Sequence, residues 1–144
     1  MATFRIDHLG IAVRDLQQAR LFYELLGMRV GPEEVVEREQ ARTTMIDVGE
    51  SRIELLEPLA EESTIGRFLD RRGEGLHHLA LHVDDIADVF SEMKAAGMRL
   101  VSDELGIGAG GQLYFFVHPS STGGVLIEIC QSADALQNAD AVVG

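Results

Sequence analysis

Two histidines and two glutamates stand at matching places in this chain: His8 in IDHLGIAVRDL (6–16), His78 in LHHLALHVDDI (76–86), Glu54 in RIELLE (52–57) and Glu128 in LIEICQ (126–131). Neutral imidazole nitrogens and carboxylate oxygens together suit a divalent cation such as Co2+, Mn2+, Ni2+, Zn2+ or Fe2+, and the absence of thiolates argues against a structural zinc site. Four protein ligands leave one or two positions open in a five- or six-coordinate site, and open positions imply chemistry. A lone histidine on a strand is ordinarily a packing residue. What singles out these four is that each has a counterpart elsewhere in the chain.

The counterparts come from an internal duplication. An offset of 70 (78 less 8) lays IDHLGIAVRDL over LHHLALHVDDI, pairing His8 with His78 and Asp15 with Asp85, and carries on to lay YELLGMRV over MKAAGMRL without a gap. Such a match signals one structural unit used twice. The last strands align at an offset of 74 (128 less 54), so the second copy has gained four residues, most easily in the glycine-rich loop near 106–111.

Each copy opens with a strand of alternating character. Leu9, Ile11 and Val13 oppose His8, Gly10 and Ala12; Leu79, Leu81 and Val83 oppose His78, Ala80 and His82. The branched face can pack on a helix, and the histidine face carries small neighbours that leave room. Parity sends His77 to the face opposite His78, as a packing or strand-edge histidine, and makes His82 a lining residue rather than a ligand. Helices follow, capped by Asp15 and Asp85 and closed by Gly27 and Gly97, with Leu16, Ala19, Phe22 and Leu26 inward in one and Ile86, Val89, Phe90 and Met93 in the other. Strands are expected around 29–37, 41–48 and 51–57, and again around 98–103, 112–118 and 124–130. The organisation is therefore an α+β single domain over 1–144: a first βαβββ module at 4–57, a linker helix in 58–73 with Ser63 as its cap and Ile65, Phe68 and Leu69 inward, a second module at 74–131, and a polar tail at 132–144. A carboxylate centred in a strand as apolar as VLIEIC is costly to bury unless something neutralises it, and Glu54 between Ile53 and Leu55 poses the same problem.

At 144 residues the chain can bury a core without disulfides, and its single cysteine, Cys130, fits a reducing compartment. A formal net charge of −12 argues against nucleic acid as a partner. No signal peptide or membrane-length apolar run is visible, so a cytoplasmic protein is expected.

On DHLGIAV, IELLEP, STIGRFLDRRGEGLHHLALHVDDI, IGAGG and HPSSTGGVLIEI, the chain resembles the vicinal oxygen chelate (glyoxalase) superfamily and, within it, the methylmalonyl-CoA epimerases, over residues 4–131. The resemblance implies a cupped mixed sheet around a metal, and one divalent ion per subunit held by His8, Glu54, His78 and Glu128. It implies interconversion of the (R) and (S) epimers of methylmalonyl-CoA by abstraction of the C2 proton through a metal-chelated enediolate, with Glu128 as base, an acyl-CoA partner, and a homodimer. Some members have glutamine where Glu54 stands. Some also carry a second catalytic glutamate, and counting four from Gln40 puts Thr44 there, which leaves the second acid/base unassigned, with Glu37, Glu39 and a metal-bound water as substitutes. For the substrate, the resemblance points to backbone amides of Gly110 and Gly111, to Ser121, Thr122 and Gly123, and to His118 beside the thioester.

Three other functions fit parts of the pattern. A lactoylglutathione lyase (glyoxalase I)-type isomerase would use similar ligands on another thiol adduct. An extradiol dioxygenase needs only two histidines and one carboxylate around Fe2+, so Glu128 argues against it. A metal-free antibiotic-sequestering module of the same fold would need no inward His/Glu quartet.

Overall fold

The computed structural model describes residues 3–132; the tail expected after Gln131 lies almost wholly at 133–144, outside the described residues. The described chain forms two compact units, one spanning His8–His78 and the other made of 3–7 with 79–132. Among the described residues no helix is long and apolar enough to cross a membrane.

The first unit holds β1 (Arg5–Ala12) from His8 onward, α1 (Leu16–Leu25), β2 (Glu34–Val36), β3 (Ala41–Val48), β4 (Ser51–Pro58) and α2 (Thr64–Arg72). β1 runs parallel to β4 with Gly10 opposite Glu54, while β2, β3 and β4 are antiparallel neighbours. The second unit repeats the plan with β5 (Gly75–His82) from Leu79 onward, α3 (Ile86–Ala95), β6 (Gly106–Ile107), β7 (Leu113–Val117) and β8 (Ile127–Gln131). β5 runs parallel to β8 with Ala80 opposite Glu128, and β8, β7 and β6 are antiparallel neighbours. Gly10 with Glu54 and Ala80 with Glu128 are the pairs that the two offsets predict, so the duplication is one of strand register as well as sequence.

The helix signals act as expected. Asp15 accepts from the N–H groups of Gln17 and Gln18, and Asp85 from that of Asp88. Gly27 (φ 90°) and Gly97 (φ 80°) each follow a C-cap. The N–H of Met28 reaches the Tyr23 carbonyl at 3.0 Å and that of Gly27 the Glu24 carbonyl at 2.9 Å, and Met98 to Met93 at 3.0 Å with Gly97 to Lys94 at 3.1 Å repeats this pair of Schellman bonds. A further matched pair ties each helix start to the last strand: the Leu16 N–H donates to Glu57 Oε2 at 2.7 Å and the Ile86 N–H to Gln131 Oε1 at 2.8 Å.

α1 departs from its expected stripe. Leu16, Ala19 and Tyr23 pack on Val13, Ile46 and Leu55, whereas Phe22 and Leu26 are exposed. Phe22 sits about 100° round the helix from Tyr23, which rotates it off the sheet. In α3 the expected residues, Ile86, Val89, Phe90 and Met93, do pack on Phe115, Val117 and Ile129.

Two expected strands are shorter than their hydrophobic runs. The one at 29–37 shrinks to β2 and a lone bridge from Val30 to Ile46: the Gly31 N–H still donates to the Met45 carbonyl at 2.8 Å, but Pro32 has no N–H to continue the ladder. The one at 98–103 is only a bridge from Leu100 to Val117; the Ser102 hydroxyl turns back onto the Glu104 carbonyl, and the strand forms later as β6.

α2 is the expected linker helix. Ser63 caps it through the Gly66 N–H, and Ile65, Leu69 and Phe68 pack on Ala12, Ala41 and Leu56. A β-carbon on Gly66 would collide with the carbonyl oxygens of Ala60 and Glu61, so the first turn lies flat on the chain before it. Gly66→Ala must therefore displace backbone and should cost about 2 kcal/mol or more, against about 1 kcal/mol for loss of the Asp85 cap in Asp85→Ala. Urea unfolding midpoints check this; a smaller loss in Gly66→Ala than in Asp85→Ala would contradict the packing described.

Candidate metal centre

The site is built from the face of β1 that carries His8, Gly10 and Ala12. Parallel register sets Glu54 of β4 beside Gly10 on the same face. His8 and His78, 3% and 5% exposed, meet with their Nε2 atoms 3.1 Å apart and their rings edge-on. Glu54 Oε1 lies 3.6 Å from His8 Nε2 and 3.5 Å from His78 Nε2. A β-carbon on Gly10 would collide with Cε1 of the His78 ring, so the small residue expected to leave room leaves it for the second histidine.

Three donor atoms thus converge within the first unit. Ligands about 2.1 Å from one ion stand about 3.0–3.4 Å apart in octahedral or tetrahedral geometry, and the observed spacings lie close to that range. Burial, and then the neighbouring charges of His8 and His77, hold His78 well below the usual imidazole range. Burial lowers His77 to about 4. Both are neutral near pH 7, and a neutral imidazole is the form that offers a lone pair to a cation. The donor set fits a borderline divalent metal.

His77 does not join the residues packed under α3. Its ring stands edge-on to Phe68 of α2, with centroids 4.9 Å apart, and its Nδ1 lies 2.9 Å from His78 Nδ1. Strand parity describes where Cβ atoms point, and two adjacent imidazoles at a strand's start are long enough to meet around the edge. No feature of the sequence distinguishes this contact from the ordinary alternation.

Glu128 lies on β8 of the second unit, 8% exposed, with Ala80 opposite on one side and Phe116 on the other. It occupies in its unit the place that Glu54 holds between Gly10 and Met45.

Thr44 faces elsewhere. It pairs with Leu55 on the side of the sheet covered by α1, and its buried hydroxyl donates to the Gly31 carbonyl at 2.6 Å. Thr43, opposite Leu56, and Met45, opposite Glu54, are the β3 residues on the site's face nearest Glu54, with Ala41 and Asp47 further along it. Antiparallel register decides this, and counting residues from Gln40 cannot reveal it. Glu37 and Glu39 lie in the turn between β2 and β3, the first exposed and the second half-buried.

The substrate-binding residues expected in the second unit lie in two turns. His118 Nδ1 caps the short helical turn Pro119–Ser121 by accepting the Ser120 N–H at 3.0 Å, and Ser121 Oγ accepts the Arg99 N–H at 2.9 Å. The Thr122 hydroxyl donates to the Val125 carbonyl, and Gly123 follows at φ 74°. Gly110 and Gly111 form a second turn, both with positive φ. His82 is buried with Nε2 3.7 Å from Asp84 and its Nδ1 without a hydrogen-bond partner among the described residues.

Comparison with known proteins bears on what such a centre does. The model of the glyoxalase/bleomycin resistance protein/dioxygenase superfamily matches residues 7–116. The mitochondrial methylmalonyl-CoA epimerase of Bos taurus is 37% identical over 130 residues, 89% of this chain and 74% of that protein. The ethylmalonyl-CoA/methylmalonyl-CoA epimerase of Cereibacter sphaeroides is 37% identical over 130 residues, 88% of this chain and 97% of that protein. Among solved structures, a Streptomyces coelicolor methylmalonyl-CoA epimerase variant in complex with 2-nitronate-propionyl-CoA superposes with a TM-score of 0.84 at 37% identity, covering 90% of this chain and 97% of that one.

Two outcomes follow from the geometry. Gly10→Ala should expel the His78 ring from its place and cost about 1–3 kcal/mol, read as a lower unfolding midpoint together with shifted imidazole resonances of His8 and His78; unchanged imidazole resonances would contradict the close approach. The lowered pKa values also set a pH dependence. Below about 6.5 the unfolded chain binds protons at His77 and His78 that the folded chain refuses, so stability held above pH 6.5 is lost as pH falls, through about 4 for His77. His77→Phe should flatten this slope in metal-free protein, as measured by urea unfolding at stepped pH; an unchanged slope would contradict it.

Proposed function

Because the chain belongs to the glyoxalase/bleomycin resistance protein/dioxygenase superfamily, we propose that it is an isomerase that inverts the C2 centre of methylmalonyl-CoA, or of a close homologue such as ethylmalonyl-CoA. The observation that carries this proposal is the convergence of His8 Nε2, His78 Nε2 and Glu54 Oε1 in a chain whose relatives are named as epimerases of these thioesters.

His8, Glu54 and His78, with Glu128 as fourth ligand, would hold one divalent cation; Co2+, Mn2+, Ni2+, Zn2+ and Fe2+ all suit two imidazoles and two carboxylates. When bound, the cation supplies positive charge to the carboxylate and thioester oxygens that gain electron density as the proton leaves. In the reaction, Glu128 takes the C2 proton and the C–H electron pair passes into the thioester carbonyl. Inversion then needs a proton delivered to the opposite face of C2. Thr44, turned toward α1, is not that donor; the carboxylates of the β2–β3 turn, Glu37 and Glu39, are the alternatives on this chain. The turns at Gly110–Gly111 and at His118, Ser121, Thr122 and Gly123 would take the acyl-CoA through backbone amides and short polar side chains.

The expected homodimer has a surface to form on. Leu21, Phe22, Leu25 and Leu26 leave α1 half-exposed or more, whereas the equivalent positions after α3 begins are Ser91, Glu92, Ala95 and Ala96. A second copy covering that face would remove the apolar area from water. Leu25→Glu should then shift the sedimentation coefficient from dimer to monomer; a monomeric unaltered protein would remove the proposal.

The activity is tested by deuterium entry at C2 of a single methylmalonyl-CoA epimer, following label and configuration with metal-loaded and chelator-treated protein. Metal-dependent exchange with inversion is expected, and Glu128→Gln should lower its rate by about 10²–10⁴-fold. Exchange with retention would leave Glu128 as a single base in another reaction. No exchange above the protein-free rate, with metal bound, would move the assignment to other enolisable thiol adducts, including the hemithioacetal of glutathione.

A further inference from the structure

We infer that His77 is a positioning residue: it holds the His78 ring with its proton on Nδ1, so that the His78 Nε2 lone pair faces His8 and Glu54. The inference rests on the proposal that His78 is a metal ligand.

The geometry leaves little choice of protonation. The two Nδ1 atoms of His77 and His78 are 2.9 Å apart, so one must carry the hydrogen and the other must accept it. The opposite nitrogen of His78 lies 3.1 Å from His8 Nε2 and 3.5 Å from Glu54 Oε1, among the donors of the site. If that nitrogen is to offer a lone pair to a cation, the proton of neutral His78 must reside on Nδ1. His77 must then accept at Nδ1 and keep its own proton on Nε2. A ligand imidazole commonly has its outer N–H held by a carboxylate or a carbonyl, which fixes both tautomer and ring plane. Here a second imidazole takes that part.

His77 is itself oriented from outside the strand. Its ring meets Phe68 edge-on at 4.9 Å, and Phe68 packs on the buried cluster of Ala12, Ala41, Leu56, Ile65 and Leu69. The guanidinium of Arg72 stands over the Phe68 ring, 5.9 Å from its centroid. The linker helix α2 therefore reaches the site through one aromatic contact and one hydrogen bond, a role that its place between the two modules does not announce.

The test compares His77→Phe, which keeps a ring against Phe68 but has no acceptor, with His77→Asn, whose Oδ1 sits near the place of Nδ1. Long-range 1H–15N spectra of the imidazoles in metal-free protein report the tautomers directly, and calorimetric titration with Co2+ reports affinity. The unaltered protein should show His78 protonated on Nδ1. His77→Phe should mix its tautomers and weaken Co2+ binding about 10–100-fold, and His77→Asn should recover most of that loss. A His78 proton on Nε2 in the unaltered protein, or Co2+ affinity in His77→Phe equal to that of the unaltered protein, would overturn the inference. Failure of the unaltered protein to bind Co2+ would overturn the ligand proposal instead, and the tautomer spectra, which need no metal, keep the two failures apart.

Discussion

The parallel register of β1 on β4 is the constraint on which the rest depends. It sets Gly10 opposite Glu54, and so brings a carboxylate to the same face as His8 while leaving the space above Gly10 empty of side chain. The His78 ring fills that space. A slip of one residue would send His8 and Gly10 to the helix side and put Leu9 where the imidazole stands. Two buried imidazoles and a half-buried carboxylate so close together are unfavourable in isolation, and what makes the arrangement tolerable is that each is within reach of the others.

The two modules preserve what positions this face and diverge in what does not touch it. The aspartate caps, the Schellman endings and the side-chain ties from Glu57 and Gln131 to the helix starts recur in both. Each of these bonds fixes where a helix begins or stops, and therefore where the strand before it must end. The outer faces of the helices are free of that duty. One has become apolar and the other polar and small.

Electrostatically the centre is kept neutral by burial rather than by pairing alone. Desolvation lowers both His77 and His78, so the imidazoles are lone-pair donors near neutrality and resist protonation until well into acid. In a chain of net charge −12, a cation held at this point would supply a local positive field for the proposed anionic thioester substrate, against a long-range field of the opposite sign.

Much of this was legible from residue types and spacing. The repeat identified His8, His78, Glu54 and Glu128, the alternation assigned their faces, and the caps and glycines bounded the helices, because each of these signals is local to a strand or a turn of helix. The inward stripe of α1, the facing of Thr44 and the partner of His77 were not legible. Each depends on how one element is rotated or registered against another: Phe22 is exposed because of the angle at which α1 meets the sheet, Thr44 turns away because it pairs with Leu55, and His77 reaches His78 because Phe68 of α2 stands beside it. The sequence by itself determined the modules and the donor types, since period and duplication are properties of the chain. Only the tertiary structure decided which atoms of those donors meet, because a distance of 3 Å between residues 70 apart is set by packing and strand register rather than by order along the chain.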